Sequence, residues 1–402
     1  MRKYVLIKVL FVVLLQSCTS NTEEITPFNT IPKSEIFIEA NNKFAFDIFK
    51  NIATTEANEN FMISPVSLSL ALGMVYNGSE SETKTAFENT LNYTDFLPNE
   101  INEINREISV NLSDNSVGSI FEIANSIWIE KTFSVKEDFI NTNKNYYNAD
   151  VKNLDFSDVN SVNTINNWVS DKTHQKIPTI IETISPTDAM FLINALYFKS
   201  DWKYKFEEEN TKELPFYGEN STENVEMMNL TNDLSFYENT SFSAVKLPYK
   251  NDKYTMTVIL PKENKTTTDI INLLNTDNWK SWTENFKNQA INLTIPKFKS
   301  SYQKKLNEGL VDLGLENAFS ANANFNGISD VFLKISYVLQ KTFIEVNEKG
   351  TEAAAVTIVA IETTSTQPNK EIIINKPFLY TITEKETGSI CFIGKIGMPE
   401  NQ

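Results

Sequence analysis

Reactive side chains are scarce in this 402-residue chain, and the scarcity decides most of what it can do chemically. There is one histidine, His174, so a paired-histidine zinc site is impossible, and there are two cysteines, Cys18 and Cys391. No Gly-x-Ser-x-Gly, Gly-x-Gly-x-x-Gly or phosphate-loop pattern occurs, and 11 glycines leave little material for loops that cradle phosphates. A Cys391–His174 dyad is conceivable, but Ile390-Cys391-Phe392-Ile393 is an apolar, strand-like setting that disfavours a thiolate. His174, on a helix beside Thr173 and Lys176, reads as an exposed or capped residue, and Glu207 to Glu209 as solvated charge. The expectation is a protein that is not an enzyme, with no metal and no cofactor.

The arrangement that does stand out belongs to the backbone. After Glu345-Val-Asn-Glu348-Lys-Gly350 comes a run from Thr351 to Glu362 whose two parities differ. Thr351, Ala353, Ala355, Thr357, Val359 and Ile361 are all uncharged, whereas Glu352 and Glu362 fall on the even face with Ala354, Val356, Ile358 and Ala360. That is the period-2 signature of a strand with one buried face. Ala353 to Ala355 would also suit a short helix; Val356 to Ile361, β-branched at five of six positions, favours the strand.

The ends of the chain bound its setting. Arg2 and Lys3, an apolar run from Tyr4 to Leu15 broken by Lys8, and small polar residues make 1–17 a signal peptide, too short to span a bilayer. Leu15-Gln16-Ser17-Cys18 resembles the lipobox of bacterial lipoproteins, which makes Cys18 the lipidated first residue; the alternative is a secretory signal with an incidental cysteine. Residues 18–35 then read as a lipidated N-terminus and flexible tether, and the chain as exported and lipid-anchored to a bacterial membrane, at the outer membrane or cell surface. Of the 36 basic residues three lie in 1–17, leaving 33 against 52 acidic ones, a net charge of −19. So acidic a chain repels nucleic acid, and no heparin-type cofactor is expected. With Cys18 lipidated, Cys391 has no partner for an internal disulfide.

The elements that must position the 345–377 stretch follow from periodicity. Residues 36 to 53 carry Ile36, Ile38, Phe44, Phe46, Ile48 and Phe49 at helical spacing. Leu68 to Gly78 is apolar all round, a core helix that Ser64 or Ser67 is placed to cap. Phe121 to Trp128 reads as a strand, Ile165 to His174 as a helix capped by Asn160 or Ser161, and Ala189 to Lys199 as a central strand covered on both faces. Asn194 interrupts that last run, and a buried amide there must find partners. Strands follow at Ser243 to Tyr249, Tyr254 to Pro261 and Ile291 to Phe298, helices at Ile270 to Leu274 and Lys304 to Leu313, and a hairpin from Phe378 to Thr383 and Ser389 to Ile396. The sum is a mixed α+β domain.

From residue 36 to Pro399 the chain resembles the serpins. The resemblance rests on Asn60 with Ser64-Pro65 and Ser67, Ala124-Asn125, Asn194-Ala195 with Tyr197-Phe198-Lys199, Trp202 through Phe206, Leu247-Pro248-Tyr249, Pro296-Lys297-Phe298, Glu345 through Ala354, and Pro377-Phe378 through Pro399. It implies a serpin domain over 36–402, with a large five-stranded sheet, two smaller sheets, about eight or nine helices and an exposed reactive-centre loop at about 348–372. It implies an irreversible suicide-substrate inhibitor: a serine or possibly cysteine protease cleaves the loop, forms a covalent complex, and is trapped as the loop enters the large sheet. It further implies a monomer, a hinge at Glu348, Gly350, Thr351, Ala353 and Ala355, and a shutter and breach at Ser64, Ser67, Asn194, Trp202 and Gln340. The alternative is a non-inhibitory surface binding protein on the same scaffold.

The residues favour the inhibitor. No proline interrupts Gly350 to Gln367, where it would delete ladder hydrogen bonds, and the entry positions are small. Thr351 to Thr364 reaches about 46 Å at ~3.3 Å per residue, across a globule roughly 50 Å wide. Counting from Glu348 puts the scissile bond between Thr364 and Ser365; counting back from Pro377-Phe378 favours Thr366–Gln367. Either suggests an elastase-like or subtilisin-like target with a shallow primary pocket. Gln340 stands where the family often has histidine, its amide still able to bond Asn194 and Ser64.

Overall fold

A computed structural model describes residues 28, 31–56, 60–113, 118–185, 187–351 and 369–400. Cys18, Ala353, Ala355, Thr364, Ser365, Thr366 and Gln367 lie outside the described residues.

The helical layer forms as the apolar spacing predicts. Helix Ser34–Thr55 buries Phe37, Phe44, Ile48, Phe49 and Ile52 along one stripe, and all twelve residues of helix Pro65–Tyr76 are buried. Pro65 stands at its first turn, where a missing N–H costs nothing. The expected serine caps are not made. Ser64 occupies the N-cap position without a side-chain bond, and Ser67 turns its hydroxyl to Asn194. Helix Asn160–Lys172 is likewise not capped by Asn160 or Ser161. Asp158 Oδ1 accepts from the Asn160 N–H at 2.9 Å, while the Ser161 hydroxyl donates to Asp155 O at 2.6 Å.

The large sheet has five long strands in the order Phe298–Lys305, Tyr337–Asn347, Met190–Asp201, Ser119–Glu130, Asp150–Leu154. A two-residue strand, Gly350–Thr351, is wedged between the second and third at one end. The helix expected from Lys304 begins instead at Asn307. Lys304 belongs to the edge strand opposite Gln340, where its ammonium reaches Glu56 Oε1 at 2.6 Å. The remaining strands, including the expected hairpin as Phe378–Glu384 and Ile390–Ile396, form a second hydrogen-bonded network that runs through the 17-residue strand Thr222–Glu238.

Met190–Asp201 is covered on both faces, as its unbroken apolar run requires. Leu192, Leu196 and Phe198 point into the main core. Phe191, Ile193 and Ala195 point the other way, into a second cluster under helix Asn160–Lys172 with Ile165 and Val169.

Candidate functional site: the hinge and the seam of the large sheet

Asn347 to Thr351 leave the Tyr337–Asn347 strand, turn, and re-enter the sheet beside it. The turn is fixed by backbone bonds: Lys349 N–H donates to Asn347 Oδ1 at 3.1 Å, Phe206 N–H to Glu348 O at 3.1 Å, and Trp202 N–H to Lys349 O at 2.9 Å. The Trp202 indole donates to Asn347 O at 2.9 Å, and its ring stacks on Tyr249 at 4.5 Å. Gly350 is required here. Its φ is +153°, and a Cβ would fall 2.1 Å from Ser200 O.

Glu348 anchors the turn electrostatically. Its carboxylate accepts from Lys297 Nζ at 2.8 Å and from the Thr211 hydroxyl at 2.7 Å. Burial alone would raise the carboxyl's pKa; the Lys297 and Thr211 hydrogen bonds outweigh burial and hold it below the ordinary value. Burial would likewise lower the Lys297 ammonium, and Glu348 and Glu226 together raise it instead.

Thr351 is fully buried. It pairs with Ser200 on one side and Val346 on the other, and its hydroxyl lies 2.7 Å from the Tyr249 hydroxyl. Those neighbours fix its side chain toward the main core, so the uncharged odd parity that starts at Thr351 is the core-facing one at its first residue.

Below this wedge the Tyr337–Asn347 and Met190–Asp201 strands close on each other, pairing in parallel from Tyr337↔Phe191 to Lys341↔Ala195. Gln340 and Asn194 face each other across that seam. Gln340 Nε2 donates to Asn194 Oδ1 at 2.8 Å and to Ser64 O at 3.0 Å, and Gln340 Oε1 accepts from Ser64 N–H at 2.9 Å. Asn194 Nδ2 donates to Asn125 Oδ1 at 2.6 Å and to Ser67 Oγ. Every polar atom of the Gln340 amide is thus satisfied where a histidine is common in the family.

The sequence-predicted hinge and shutter residues Glu348, Gly350, Thr351, Ser64, Ser67, Asn194, Trp202 and Gln340 therefore meet along one line down the sheet. The Ser64 hydroxyl alone among them is buried without a partner. Tyr249 and Lys297 were visible only as parts of motifs, with no role attached, and nothing in the sequence marks Thr211 as a hinge ligand. His174 and Cys391 form no dyad. His174 Nε2 sits 2.9 Å from Glu122 Oε2 on the sheet's outer face, and burial pushes the Cys391 thiol well above its ordinary value.

Comparison with known proteins agrees with this geometry. Residues 39–399 match the family model Serpin (serine protease inhibitor). A serpin-like protein of Methanosarcina acetivorans is 34% identical over 96% of this chain and 94% of its own length. Human Serpin B4 is 32% identical over 90% of this chain and 99% of its own. Among solved structures, the native state of the thermophilic serpin Tengpin superposes with a TM-score of 0.84 at 35% identity, covering 90% of this chain and 94% of that one. Thyroxine-binding globulin complexed with thyroxine superposes at 0.85 with 28% identity, over 92% and 100%. Sequence motifs, sheet architecture and relatives agree, and the chain belongs to the serpin family.

Proposed function

We propose that this serpin is a suicide-substrate inhibitor of serine proteases, and of some cysteine proteases, that traps its target by drawing its own cleaved loop into the large sheet. The protease nucleophile attacks the carbonyl of Thr364, or of Thr366, forming an acyl bond as the peptide C–N bond breaks and the new amine leaves protonated. The trap itself is the family's; the register of this member's sheet supports it.

The observation that carries the proposal is one of register. Ser200 and Val346 both face Thr351, and the same offset between the two strands recurs in the closed seam at Phe191↔Tyr337 and Asn194↔Gln340. Counting down from Thr351 against either flank therefore gives the same partner at every row. The two strands need only part sideways, by about one strand spacing of ~4.8 Å, and not slide. In that count Ala353 falls opposite Phe198 and Ile344, Ala355 opposite Leu196 and Thr342, and Val359 opposite Leu192 and Val338. The polar Thr357 falls opposite the one polar pair, Asn194 and Gln340. A strand of this sequence meets small, apolar and polar partners where each suits it.

The target is elastase-like or subtilisin-like, because a threonine precedes either candidate bond. The protein is exported and held to a bacterial membrane by lipid on Cys18, and acts as a monomer. Incubation with a panel of such proteases is expected to give an SDS-stable adduct carrying the loop's N-terminal portion. Clean cleavage with no adduct for any serine or cysteine protease would falsify the proposal. A binding protein on the same scaffold is the rival reading, and the likeness to thyroxine-binding globulin supports it. Heat stability separates the two: a large gain on loop cleavage belongs to the inhibitor, no gain to the binder.

A further inference from the structure

Two asparagine-glycine pairs, far apart in sequence, meet in the fold. Asn77-Gly78 follows the core helix Pro65–Tyr76, and Asn326-Gly327 lies in the loop before strand Tyr337–Asn347. The Gly327 N–H donates to Gly78 O at 3.1 Å. The two backbones lie so close that a Cβ on Gly327 would fall 2.9 Å from Gly78 Cα. The loop is pinned on both sides of Asn326. Phe325 is buried edge-on against Phe87, and Ile328 is buried on Gly78. Glu80 N–H donates to Asn324 O at 3.0 Å, and Lys136 N–H to Ile328 O at 2.8 Å.

An asparagine followed by glycine is open to internal attack, since a residue without a Cβ lets its own nitrogen approach the asparagine Cγ. The N–Cγ bond forms, the Cγ–Nδ2 bond breaks, and the amide leaves as ammonia with the proton of the glycine N–H. Water then opens the cyclic imide at one carbonyl or the other. The products are aspartate and isoaspartate, and in isoaspartate the main chain runs through Cβ and Cγ, one atom longer.

The fold holds the two asparagines differently. Asn77 is helical, with φ −60° and ψ −20°. Its amide is tied at both ends: Nδ2 donates to Gly73 O at 3.2 Å and to Asn102 Oδ1 at 2.9 Å, and Oδ1 accepts from Asn102 Nδ2 at 3.0 Å. Asn326 is exposed, and its backbone N–H donates to Asn324 Oδ1 at 3.1 Å. Among the described residues nothing bonds its side-chain amide. The Asn326 Cγ is therefore free to swing onto the Gly327 nitrogen whenever that N–H leaves Gly78 O.

We propose that Asn326-Gly327 is a site of spontaneous deamidation and isoaspartate formation, gated by the contact between Gly327 and Gly78, and that Asn77-Gly78 is shielded from the same reaction. One more main-chain atom, about 1.5 Å of chain, has no room between the pinned Phe325 and Ile328. The isoaspartyl form thus loses the bond to Gly78 and unfastens the loop from the core helix. The extent of modification records how often the contact has opened.

The test incubates the intact protein at mildly alkaline pH, digests it with trypsin, and places each converted asparagine by fragmentation. In the folded protein Asn326 is expected to convert at least about tenfold faster than Asn77. In denaturing urea, where the fold shields neither, the two rates should agree within about twofold. Isoaspartyl methyltransferase should label the 306–334 tryptic peptide of aged wild type and not that of aged Asn326→Gln, whose longer side chain disfavours ring closure. Heat stability should fall in the aged wild type and hold in fresh Asn326→Asp, which adds the charge without the main-chain atom. Equal conversion at the two sites in the folded protein, or none at Asn326 where the urea-unfolded chain converts, overturns the proposal. A fresh Asn326→Asp as unstable as the aged wild type overturns the account of the added atom.

Discussion

Consider Thr351→Arg. Thr351 is completely buried between Ser200 and Val346, with its hydroxyl on Tyr249. None of these neighbours offers a carboxylate, so an arginine here either desolvates an unpaired guanidinium or stays out of the sheet. Burying an unpaired ion costs several kcal/mol even after relaxation. At ~3 kcal/mol the first step of insertion slows about 150-fold. Once the acyl bond has formed, insertion competes with hydrolysis. If wild-type insertion outruns hydrolysis about tenfold, hydrolysis in the variant outruns insertion about fifteenfold. The variant should be cleaved as an ordinary substrate, while the rate of first attack stays unchanged because Thr351 lies 13 residues before Thr364. Titrating a fixed amount of protease and resolving adduct from cleaved inhibitor on denaturing gels measures the partition, with Thr351→Ser as the control expected to inhibit. Wild-type stoichiometry in Thr351→Arg would refute the idea that inhibition needs residue 351 seated between Ser200 and Val346.

Two further outcomes follow from the same site and a third from the N-terminus. The Glu348 carboxyl titrates lower in the folded protein than in the unfolded chain, so its anchor to Lys297 is fully present above about pH 4.5 and is lost as pH falls through the depressed folded value. The difference in thermal midpoint between wild type and Glu348→Gln should thus hold steady from pH 5 to 8 and shrink in stronger acid; a difference that grows on acidification contradicts the assignment. Gln340→Ala strands Asn194 Oδ1 and the Ser64 N–H inside the core, while the Ser64 carbonyl keeps the Leu68 N–H at 3.1 Å; at about 1–3 kcal/mol for an unsatisfied group, urea denaturation should show the loss. Cys18→Ala should move the protein from the membrane fraction to the soluble one; retention at the membrane would point to another anchor.

Periodicity carried the parts of this site that repeat. A strand has period two, so the parity of 351–361 and its uncharged face could be read before any neighbour was known, and one amide in the apolar run of Met190–Asp201 announced itself as partnered. What periodicity cannot carry is who meets whom over long separations. The Glu348 anchor joins residues 137 and 51 positions away, Thr211 and Lys297, and neither has a local pattern that names its partner. The serine caps failed for a related reason: Ser64 and Ser67 have the composition of caps, but tertiary partners at Gln340 and Asn194 set how they are used. Lys304 was misplaced because a half-exposed edge strand followed at once by a helix blurs both periods. Gly350 was legible as a hinge; that a Cβ there would strike Ser200 O was not.

The cluster at the middle of the seam, Ser64, Ser67, Asn125, Asn194 and Gln340, contains only amides and hydroxyls, whereas the hinge above it is tied by an ion pair. Ionic strength should therefore act on one and pass over the other. At 0.1 M salt the Debye length is about 10 Å, and at 1 M about 3 Å. Raising salt should loosen the Glu348–Lys297 tie, partly shielded though it is, and leave the neutral seam as it was. Acid divides them the same way, since the seam has nothing to protonate. In brine or in acid the sheet should yield first at its hinge, and its middle should give way to heat or denaturant alone.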